Sequence, residues 1–562
     1  MSREIKKLEP NDSLEKKQGG EKWGSLIHNG VLFPPTYEPL PPSIKILYNK
    51  KPVVLDNKNT NNPLNISAEE AAVFMAMRME QDDRLGEKDK KRKKVQDDKK
   101  FMDNFWKDWR KVLGENHTIK DIYQVDFTPI QKFLSSRSEQ KKEAKKNMTK
   151  EEKKQEKKQK ESIKELYGYA LVDGRKIPLG NYQIQPPGIF IGHGEAPLRG
   201  KIKKRIKPSD ITLNISKRYI PKCYDNKKGC KWGDTVENKD VEWVAFWKNP
   251  VNDKPNYVNL SRQESHFVHD SDKNKFEKAR NLGRNIERVR TLYKKDLENE
   301  NKLKKQLATA VYLLDELAIR PGTEKDESKE AGTQGLTTLK CDNIEFKTKN
   351  TILIKFIGKS SIEFTKTFLV LPVVYKNLKE LCERSSKKKM FPGVDSNSLN
   401  GYLKTLLPGL TAKVFRTYKA SSILQKELSK NIPSVDDEIH TKKLVYDKVN
   451  IEVAKALNHK KMGGSSDKVD KIKIKIEELE QKKIDASDKQ KKTIQKSIDL
   501  AKSKLEEAEQ NISTSTSKVN YMDPRIVVAW CKMVEMPIEK MYNKGSLKKF
   551  VWSMDTNSEW KF

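Results

Sequence analysis

Residues 135–166 constrain the fold most strongly. This stretch reads SSRSEQKKEAKKNMTKEEKKQEKKQKESIKEL, and it consists of good helix formers with almost no apolar side chains. A helix that is polar on every side cannot be packed inside a globule, so it is surrounded by solvent or faces a polyanion. The sequence therefore predicts one or two basic helices that protrude from the body of the protein.

The charge of the whole chain points to the same kind of partner. The 562 residues carry a net charge of +35, from 114 Lys and Arg against 79 Asp and Glu. Such an excess repels itself unless a polyanion compensates it, and nucleic acid fits because each cation near a phosphate releases counterions. No apolar run reaches the roughly 20 residues that span a bilayer, and the N-terminus lacks the apolar core of a signal peptide. We therefore expect a nucleic-acid partner and no membrane.

The cysteines favour neither a disulfide framework nor a zinc finger. Their number is odd and no C-x-x-C motif occurs. The five are Cys223, Cys230, Cys341, Cys382 and Cys531. We expect a reducing compartment.

The pattern of apolar residues divides the chain into helical and stranded regions. Residues 275–319 and 400–457 have helical spacing, whereas residues 336–373 alternate apolar and polar side chains as antiparallel strands do. At roughly 150 residues per domain, the length allows two to four domains. The chain is therefore predicted to be a mixed, multidomain protein.

Two narrow apolar seams follow near the C-terminus. Spacings of three and four residues recur on both sides of the polar turn DASDK. The seam residues are Val469, Ile472, Ile476 and Leu479 on one side and Ile494, Ile498, Ala501 and Leu505 on the other. This pattern predicts two antiparallel helices joined as a coiled-coil arm. Beyond it, Asp523 and Pro524 form a typical helix start.

Nucleotide and metal chemistry find little support in the motifs. FIGKSS ends like a phosphate-binding loop, but the glycine required earlier is replaced by Leu353, and no helix pattern follows. His266 and His269 could hold a metal, but no third ligand stands nearby. No acidic cluster suited to magnesium is evident. We therefore predict neither a cofactor nor a metal.

Several cations and one tyrosine remain, and each has an ordinary structural explanation. Arg320 ends an apolar helix before Pro321, and Lys359 occupies a glycine turn between two strands, pointing outward. Lys413 and Arg416 lie one helical turn apart in KVFRTYKAS, a spacing that a surface pair would also have. The same segments, however, carry a specific resemblance.

The flanking motifs are similar to those of the type IB DNA topoisomerases, the eukaryotic topoisomerase I family. The motifs are SKVNYMDPRI, VAWCK, KVFRTYKAS, LNHKK, QPPGIF, YEPLP and FWKDWR. The resemblance covers nearly the whole chain from Trp23 to Phe562. It implies an α+β multidomain fold: a bilobed DNA clamp with mixed α/β cap lobes, a mainly helical catalytic lobe, an antiparallel coiled-coil linker and a small helical C-terminal domain. The implied segments are a disordered tail at 1–20, cap lobes at 21–266, a catalytic lobe at 267–462, the linker at 463–511 and the C-terminal domain at 512–562.

The resemblance also implies roles for the site residues. Tyr521 would attack a DNA phosphate, and Arg320 and Arg416 would hold its non-bridging oxygens. His459 would donate a further hydrogen bond from Nε, and Lys359, with a pKa lowered by burial and neighbouring cations, would protonate the leaving 5′ oxygen. The implied DNA contacts are Lys413, His193, Asn520, Lys201 and Lys203.

The activity implied is relaxation of positive and negative supercoils through a 3′-phosphotyrosyl intermediate, without ATP or metal. Energy stored in that bond would drive religation. The protein would act on duplex DNA as a nuclear monomer.

Three positions depart from the usual pattern of the family. Ile191 and His193 replace arginines, and Ser360 replaces the aspartate that follows the lysine. In the family this neighbourhood helps to hold camptothecin-type inhibitors. We therefore predict that relaxation is preserved and camptothecin sensitivity is reduced.

Two alternatives remain open. A tyrosine recombinase shares this chemistry, although Lys413 stands where recombinases usually have histidine. A basic, non-catalytic chromatin-binding protein would leave Tyr521 without a function.

Overall fold

The computed structural model describes most of the chain and places it in two compact units. The described residues are 4–10, 20–56, 62–86, 94–223, 230–261, 266–384, 389–461, 466–484 and 486–562. The first unit comprises residues 1–267 with 327–330, and the second comprises 268–326 with 331–562. Both contain helices and small sheets, which confirms the predicted mixed α and β composition. Within the described ranges, no helix is long and apolar enough to cross a bilayer.

The first unit combines small sheets with four helices in its described part. The helices are α1 (Ala68–Gly86), α2 (Lys99–Leu113), α3 (Thr128–Asn147) and α4 (Lys150–Tyr167). The strands are β1 (Leu26–His28), β2 (Ile46–Tyr48), β3 (Lys51–Val53), β4 (Val125–Asp126), β5 (Tyr169–Val172), β6 (Arg175–Pro178), β7 (Gly188–Ile189), β8 (Ile202–Lys203), β9 (Ile211–Asn214), β10 (Asp234–Val236), β11 (Trp243–Lys248) and β12 (Pro255–Asn259). Their order in the sheets is β1-β5-β6, β3-β2-β4, β7-β8 and β10-β9-β11-β12, where only β9 and β10 pair in parallel.

Helices α3 and α4 contain the basic segment, and almost none of their side chains is buried. No side chain of α4 is buried, and in α3 only Ile130 is buried. The break between them is set by a capping box, in which Thr149 Oγ1 accepts from the Glu152 amide at 3.1 Å and the Glu152 carboxylate accepts from the Thr149 amide at 2.7 Å. The segment therefore forms two solvated helices rather than part of a core.

Two features of the first unit depart from the sequence-based expectations. Leu8, within the predicted disordered tail, is buried against Ile27 and Leu171. Cys223 and Cys230 form a disulfide with Cα atoms 5.9 Å apart, so the expectation of unbonded cysteines is wrong for this pair. Both contacts depend on how the chain folds back on itself, which spacing along the sequence does not reveal.

The second unit is mainly helical in its described part. Its helices are α5 (His266–Asp296, which begins at the end of the first unit), α6 (Lys302–Leu317), α7 (Pro372–Arg384), α8 (Ser396–Leu406), α9 (Ala412–Lys430), α10 (Ile439–Ala456), α11 (Ser466–Ile484), α12 (Asp488–Glu509), α13 (Thr514–Asn520), α14 (Pro524–Met533) and α15 (Lys544–Lys549). The strands β13 (Ile344–Phe346), β14 (Thr351–Gly358) and β15 (Ile362–Leu369) form one antiparallel sheet, as the alternation predicted.

Two hydrophobic clusters hold the second unit together. The first surrounds α6, whose residues Ala308, Val311 and Leu314 are fully buried. The second joins α9, α10 and α14, and it includes Tyr521 and Met522. The turn that carries Tyr521 is therefore built into a packed interior and is not a loose C-terminal segment.

Helices α11 and α12 pack on each other along the predicted seam. Ile476, Ile498 and Ala501 are buried between them. Lys473, early in α11, pairs with Glu509 at the end of α12 at 3.1 Å, so the helices are antiparallel. Helices α11 and α12 therefore form an antiparallel pair, and its role as a coiled-coil linker stays a prediction.

Candidate active site

Tyr521 lies at the turn between α13 and α14, and its backbone is fixed on both sides. Its amide donates to the Ser517 carbonyl at 2.9 Å, and its carbonyl accepts from Ser421 Oγ at 3.2 Å. Ser421 Oγ in turn accepts from the amide of Asp523 at 3.0 Å, and Asp523 caps α14 as predicted. The side chain is only 9% exposed. The phenol is thus held in place by α9 as well as by its own segment.

Arg416 places a positive charge beside this phenol. It lies on α9, is 4% exposed, and its guanidinium carbon is 5.0 Å from the centre of the Tyr521 ring. The guanidinium donates to the carbonyls of Ala318 and Leu457, the latter at 3.2 Å. Its Nε finds no hydrogen-bond partner among the described residues. Arg416 is therefore a buried cation, not the surface residue that its helical spacing would also allow.

His459 completes the buried group and makes two side-chain hydrogen bonds. Its Nδ1 lies 2.7 Å from Ser517 Oγ, and its Nε2 lies 3.0 Å from Arg416 Nη2. Burial, together with Arg416 and Arg320, lowers the pKa of His459 to about 3, so the ring is neutral. A guanidinium can only donate, so Nε2 accepts. In this DNA-free state Arg416 therefore donates to the nitrogen that was predicted to donate to a phosphate, and that role of His459 stays a prediction.

The electrostatics of the group favour a tyrosinate. Burial raises the pKa of Tyr521, but the charges of Arg416 and Arg320 and their hydrogen bonds to the phenol outweigh it, so the net pKa is lowered. Burial also lowers the pKa of Arg416 to about 10, although the neighbouring Tyr521 opposes this. Both pKa values are lowered because the described part of the site buries positive charge without an acidic side chain beside it. The site can stabilise a phenolate or another bound anion.

Arg320 and Lys359 reach the same place from other elements. Arg320 follows α6, is half-buried, and its carbonyl accepts from the Leu336 amide at 2.9 Å. Lys359 lies at the tip of the β14–β15 hairpin. Together with Arg416 and Asn458, both residues line one surface pocket. Four of the five predicted catalytic residues (Tyr521, Arg416, His459 and Arg320) interact electrostatically, and Lys359 shares the pocket of the two arginines.

Lys359 differs from its prediction in one respect. Its side chain is exposed, so the burial on which its predicted role depended is absent in this structure. The reason is the hairpin geometry. The next two residues, Ser360 and Ser361, adopt left-handed φ angles of 64° and 56°, which turn the chain at the tip. The prediction that the Lys359 side chain points outward from the turn is confirmed by its exposure.

The predicted DNA contacts are distributed over both units. In the second, Lys413 and Asn520 are exposed, and the Asn520 amide donates to the Thr516 carbonyl at 3.1 Å. In the first, the loop between β7 and β8 contains the exposed His193 and the partly buried Lys201, and β8 contains the partly buried Lys203. Burial lowers the pKa of Lys203.

Ser517 and Ser421, which hold His459 and Tyr521, were not predicted from the sequence. Ser517 precedes Tyr521 by four residues on a helical segment, a spacing that could have indicated a shared position. Ser421 is one serine of KASS and carries no comparable signal. The described side chains contain no group of three or more potential metal ligands; the side chains of His266 and His269 lie outside the described set.

Comparison with known proteins identifies the family. The model described as "Eukaryotic DNA topoisomerase I, DNA binding fragment" matches residues 21–260, and the one described as "Eukaryotic DNA topoisomerase I, catalytic core" matches residues 264–512. A third, "C-terminal topoisomerase domain", matches residues 491–562. The chain belongs to the eukaryotic DNA topoisomerase I family.

Individual relatives extend over nearly the whole chain. It is 40% identical to DNA topoisomerase 1 beta of Arabidopsis thaliana over 586 residues, which cover 98% of this chain and 60% of that protein. It is 34% identical to DNA topoisomerase 1 of Mus musculus and of Homo sapiens over 582 residues, which cover 97% of this chain and 72% of each relative. The chain thus spans about 60% of the length of the plant relative.

Proposed function

We propose that this protein is a type IB DNA topoisomerase that relaxes positive and negative supercoils in duplex DNA without ATP or metal. The observation that carries the proposal is the buried Tyr521 phenol beside Arg416 and neutral His459, with its pKa lowered by two arginines. Membership of the topoisomerase I family supports it. A tyrosine of ordinary pKa is a weak nucleophile at neutral pH, and an environment that lowers its pKa makes it a better one.

The proposed reaction is a reversible transesterification. Tyr521 loses its proton to solvent, its Oη attacks the phosphorus, and the bond to the 5′ oxygen breaks. The phosphate remains joined to the tyrosine through its 3′ side. Arg320 and Arg416 stabilise the negative charge that develops on the non-bridging oxygens. Lys359 gives a proton to the leaving 5′ oxygen, and religation reverses each step. The number of phosphoester bonds is conserved, so no nucleotide is consumed.

The exposed position of Lys359 is compatible with this role if DNA itself covers the hairpin tip. A phosphate placed beside Arg320 and Arg416 would lie against the pocket that Lys359 also lines. Lys359 would then lie close to the leaving 5′ oxygen, within reach for the proton transfer that a general acid performs. The required burial would come from the substrate.

The remaining predictions concern the complete molecule. We propose that the two units act as a clamp around duplex DNA, that the α11–α12 pair is its coiled-coil linker, and that residues 512–562 form a C-terminal domain which delivers Tyr521. His193, Lys201, Lys203, Lys413 and Asn520 would contact the DNA. The protein would act as a nuclear monomer. The family match and the charge of +35 support this description.

The decisive test is plasmid relaxation in EDTA without ATP, with positively and negatively supercoiled substrates. We expect the wild type to relax both and the Tyr521→Phe variant to relax neither, because the variant lacks the attacking oxygen. DNA affinity, measured by fluorescence anisotropy, should be unchanged in the variant. Relaxation by Tyr521→Phe would refute the proposal, and strand exchange between defined sites would favour a recombinase instead.

Camptothecin sensitivity gives a second test. Ile191 and His193 are exposed after β7, and Ser360 adjoins Lys359 at the hairpin tip. We expect few trapped cleavage complexes at ordinary drug concentrations. Introducing Ile191→Arg, His193→Arg and Ser360→Asp together should increase trapping, since these restore the usual residues. Abundant trapping by the unmodified protein would contradict the prediction.

A further inference from the structure

Ser517 connects the segment that carries Tyr521 to the buried cation group. It is fully buried in α13, and its carbonyl accepts from the amides of Tyr521 and Met522 at 2.9 and 3.0 Å. Its hydroxyl lies 2.7 Å from His459 Nδ1. One residue thus holds the backbone of the candidate nucleophile with one group and the histidine with another.

The direction of each hydrogen bond in this group follows from the donors available. Arg416 can only donate, so His459 Nε2 must present its lone pair to Nη2 at 3.0 Å. A neutral imidazole carries its proton on the other nitrogen, which leaves Nδ1–H to donate to Ser517 Oγ. The hydroxyl of Ser517 is therefore an acceptor here, and it stabilises the only tautomer that can hold Arg416.

We propose that Ser517 is a positioning residue that fixes the Nδ1–H tautomer of His459, which in turn holds the Arg416 guanidinium against Tyr521. The proposal rests on the function proposed above and adds an assembly step to it. Because Ser517 lies on α13, which Tyr521 directly follows, we expect the histidine to be locked only when the nucleophile segment is docked. The segment that supplies the phenol thus also orients the arginine that activates it.

The arrangement explains why Arg416 keeps one orientation while buried. Its guanidinium is anchored by the carbonyls of Ala318 and Leu457, and His459 Nε2 provides the third acceptor. Without Ser517, Nδ1–H would be a buried donor lacking its partner, and the opposite tautomer would direct an N–H at an N–H of the arginine. Either state weakens the hold on the guanidinium.

The first test observes the tautomer directly, in the full chain without DNA. With ¹⁵N-labelled histidine, we expect the wild-type His459 to show a protonated Nδ1 and an unprotonated Nε2 at pH 7. Ser517→Ala should move both resonances towards a mixture of tautomers. Ser553→Ala is the matched control, since Ser553 is equally buried and bonds a carbonyl within the C-terminal segment at 2.7 Å. Unchanged His459 resonances in Ser517→Ala would overturn the proposal.

The second test measures single-turnover cleavage of a duplex whose short 5′-hydroxyl fragment dissociates after the cut. We expect Ser517→Ala to slow cleavage about tenfold, the effect of one lost hydrogen bond, with duplex affinity unchanged. If Ser517 acts through His459, it should have little further effect in a His459→Gln background. Additive losses in the double variant, or an equal loss in Ser553→Ala, would show a merely structural role.

Failure of this proposal and failure of the proposed function are distinguishable. The tautomer measurement requires no cleavage, so it tests the role of Ser517 whether or not the protein relaxes DNA. The function depends instead on the comparison of wild type with Tyr521→Phe. A wild type that relaxes DNA while His459 keeps its tautomer in Ser517→Ala would leave the function intact and remove the role of Ser517.

Discussion

Arg416 is a cation enclosed by backbone carbonyls, a neutral histidine and a phenol. Among the described residues no carboxylate pairs with it, and burying an unpaired charge costs free energy. An anion placed beside it recovers part of that cost, whether the anion is the Tyr521 phenolate or a DNA phosphate. The pKa values of Tyr521 and Arg416 are both lowered because positive charge is buried here without a carboxylate to compensate it.

The same enclosure predicts how stability depends on pH. His459, 5% exposed, has a folded-state pKa of about 3, below the ordinary value of 6.5. The unfolded chain therefore binds the proton first as pH falls. We expect the free energy of unfolding to decrease by up to about 1.4 kcal/mol per pH unit between about pH 6.5 and pH 3, through this group alone.

The measurement compares denaturant unfolding of the wild type and His459→Gln from pH 7.5 to pH 5. Glutamine cannot titrate, so the variant should lose less stability over this interval. Other titrating groups are common to both proteins and cancel in the difference. Equal pH dependence in the two would mean that His459 is not held neutral.

The α11–α12 pair shows how an element of low apolar content remains folded. Its polar faces are solvated, and its buried seam is narrow. Ile498 is 1% exposed, whereas Ile474 on α11 is 52% exposed. The stability of the pair therefore depends on few side chains, and each of them carries a large share.

Substitution in this seam should open the pair locally. We expect Ile498→Ala to cost about 2 to 5 kcal/mol, which is large for such a small interface. Hydrogen exchange should then become faster throughout α11 and α12 and remain unchanged in α6. Ile474→Ala is the matched control, because the same atoms are removed from a solvated position. Similar exchange in the two variants would contradict the packing described here.

The net charge of +35 is a property of the whole chain and acts on association with DNA at the scale of the complete molecule. Association with DNA should weaken steeply with salt, because each phosphate contact releases counterions. If α4 lies against DNA, replacing Lys153 and Lys154 with glutamine should reduce the slope of log affinity against log salt by up to about 0.9 per lysine.

Fluorescence anisotropy of the Tyr521→Phe variant on a short duplex would measure this slope without cleavage. The control replaces Lys50 and Lys51, which are also exposed and change the net charge equally. If net charge alone sets the affinity, both pairs of substitutions will reduce it to the same extent. A larger effect of the α4 pair would locate that helix beside the DNA.

The sequence alone determined the elements and the order of the site residues. The solvated helices α3 and α4, the α11–α12 seam, the β14–β15 alternation and the Asp523 cap all follow from side chains a few positions apart. Such patterns can be read because helices and strands impose fixed local periods. The set of site residues was predicted from the resemblance of their flanking motifs to those of the topoisomerase I family.

Only the tertiary structure decided what those residues do to one another. Ser517 meets His459 across 58 positions, and His459 meets Arg416 across 43. Burial, the direction of each hydrogen bond and the resulting pKa shifts depend on groups brought together by packing, and no local period encodes them. For this reason the acceptor role of His459, the exposure of Lys359 and the contact of Ser517 became visible only in the folded chain.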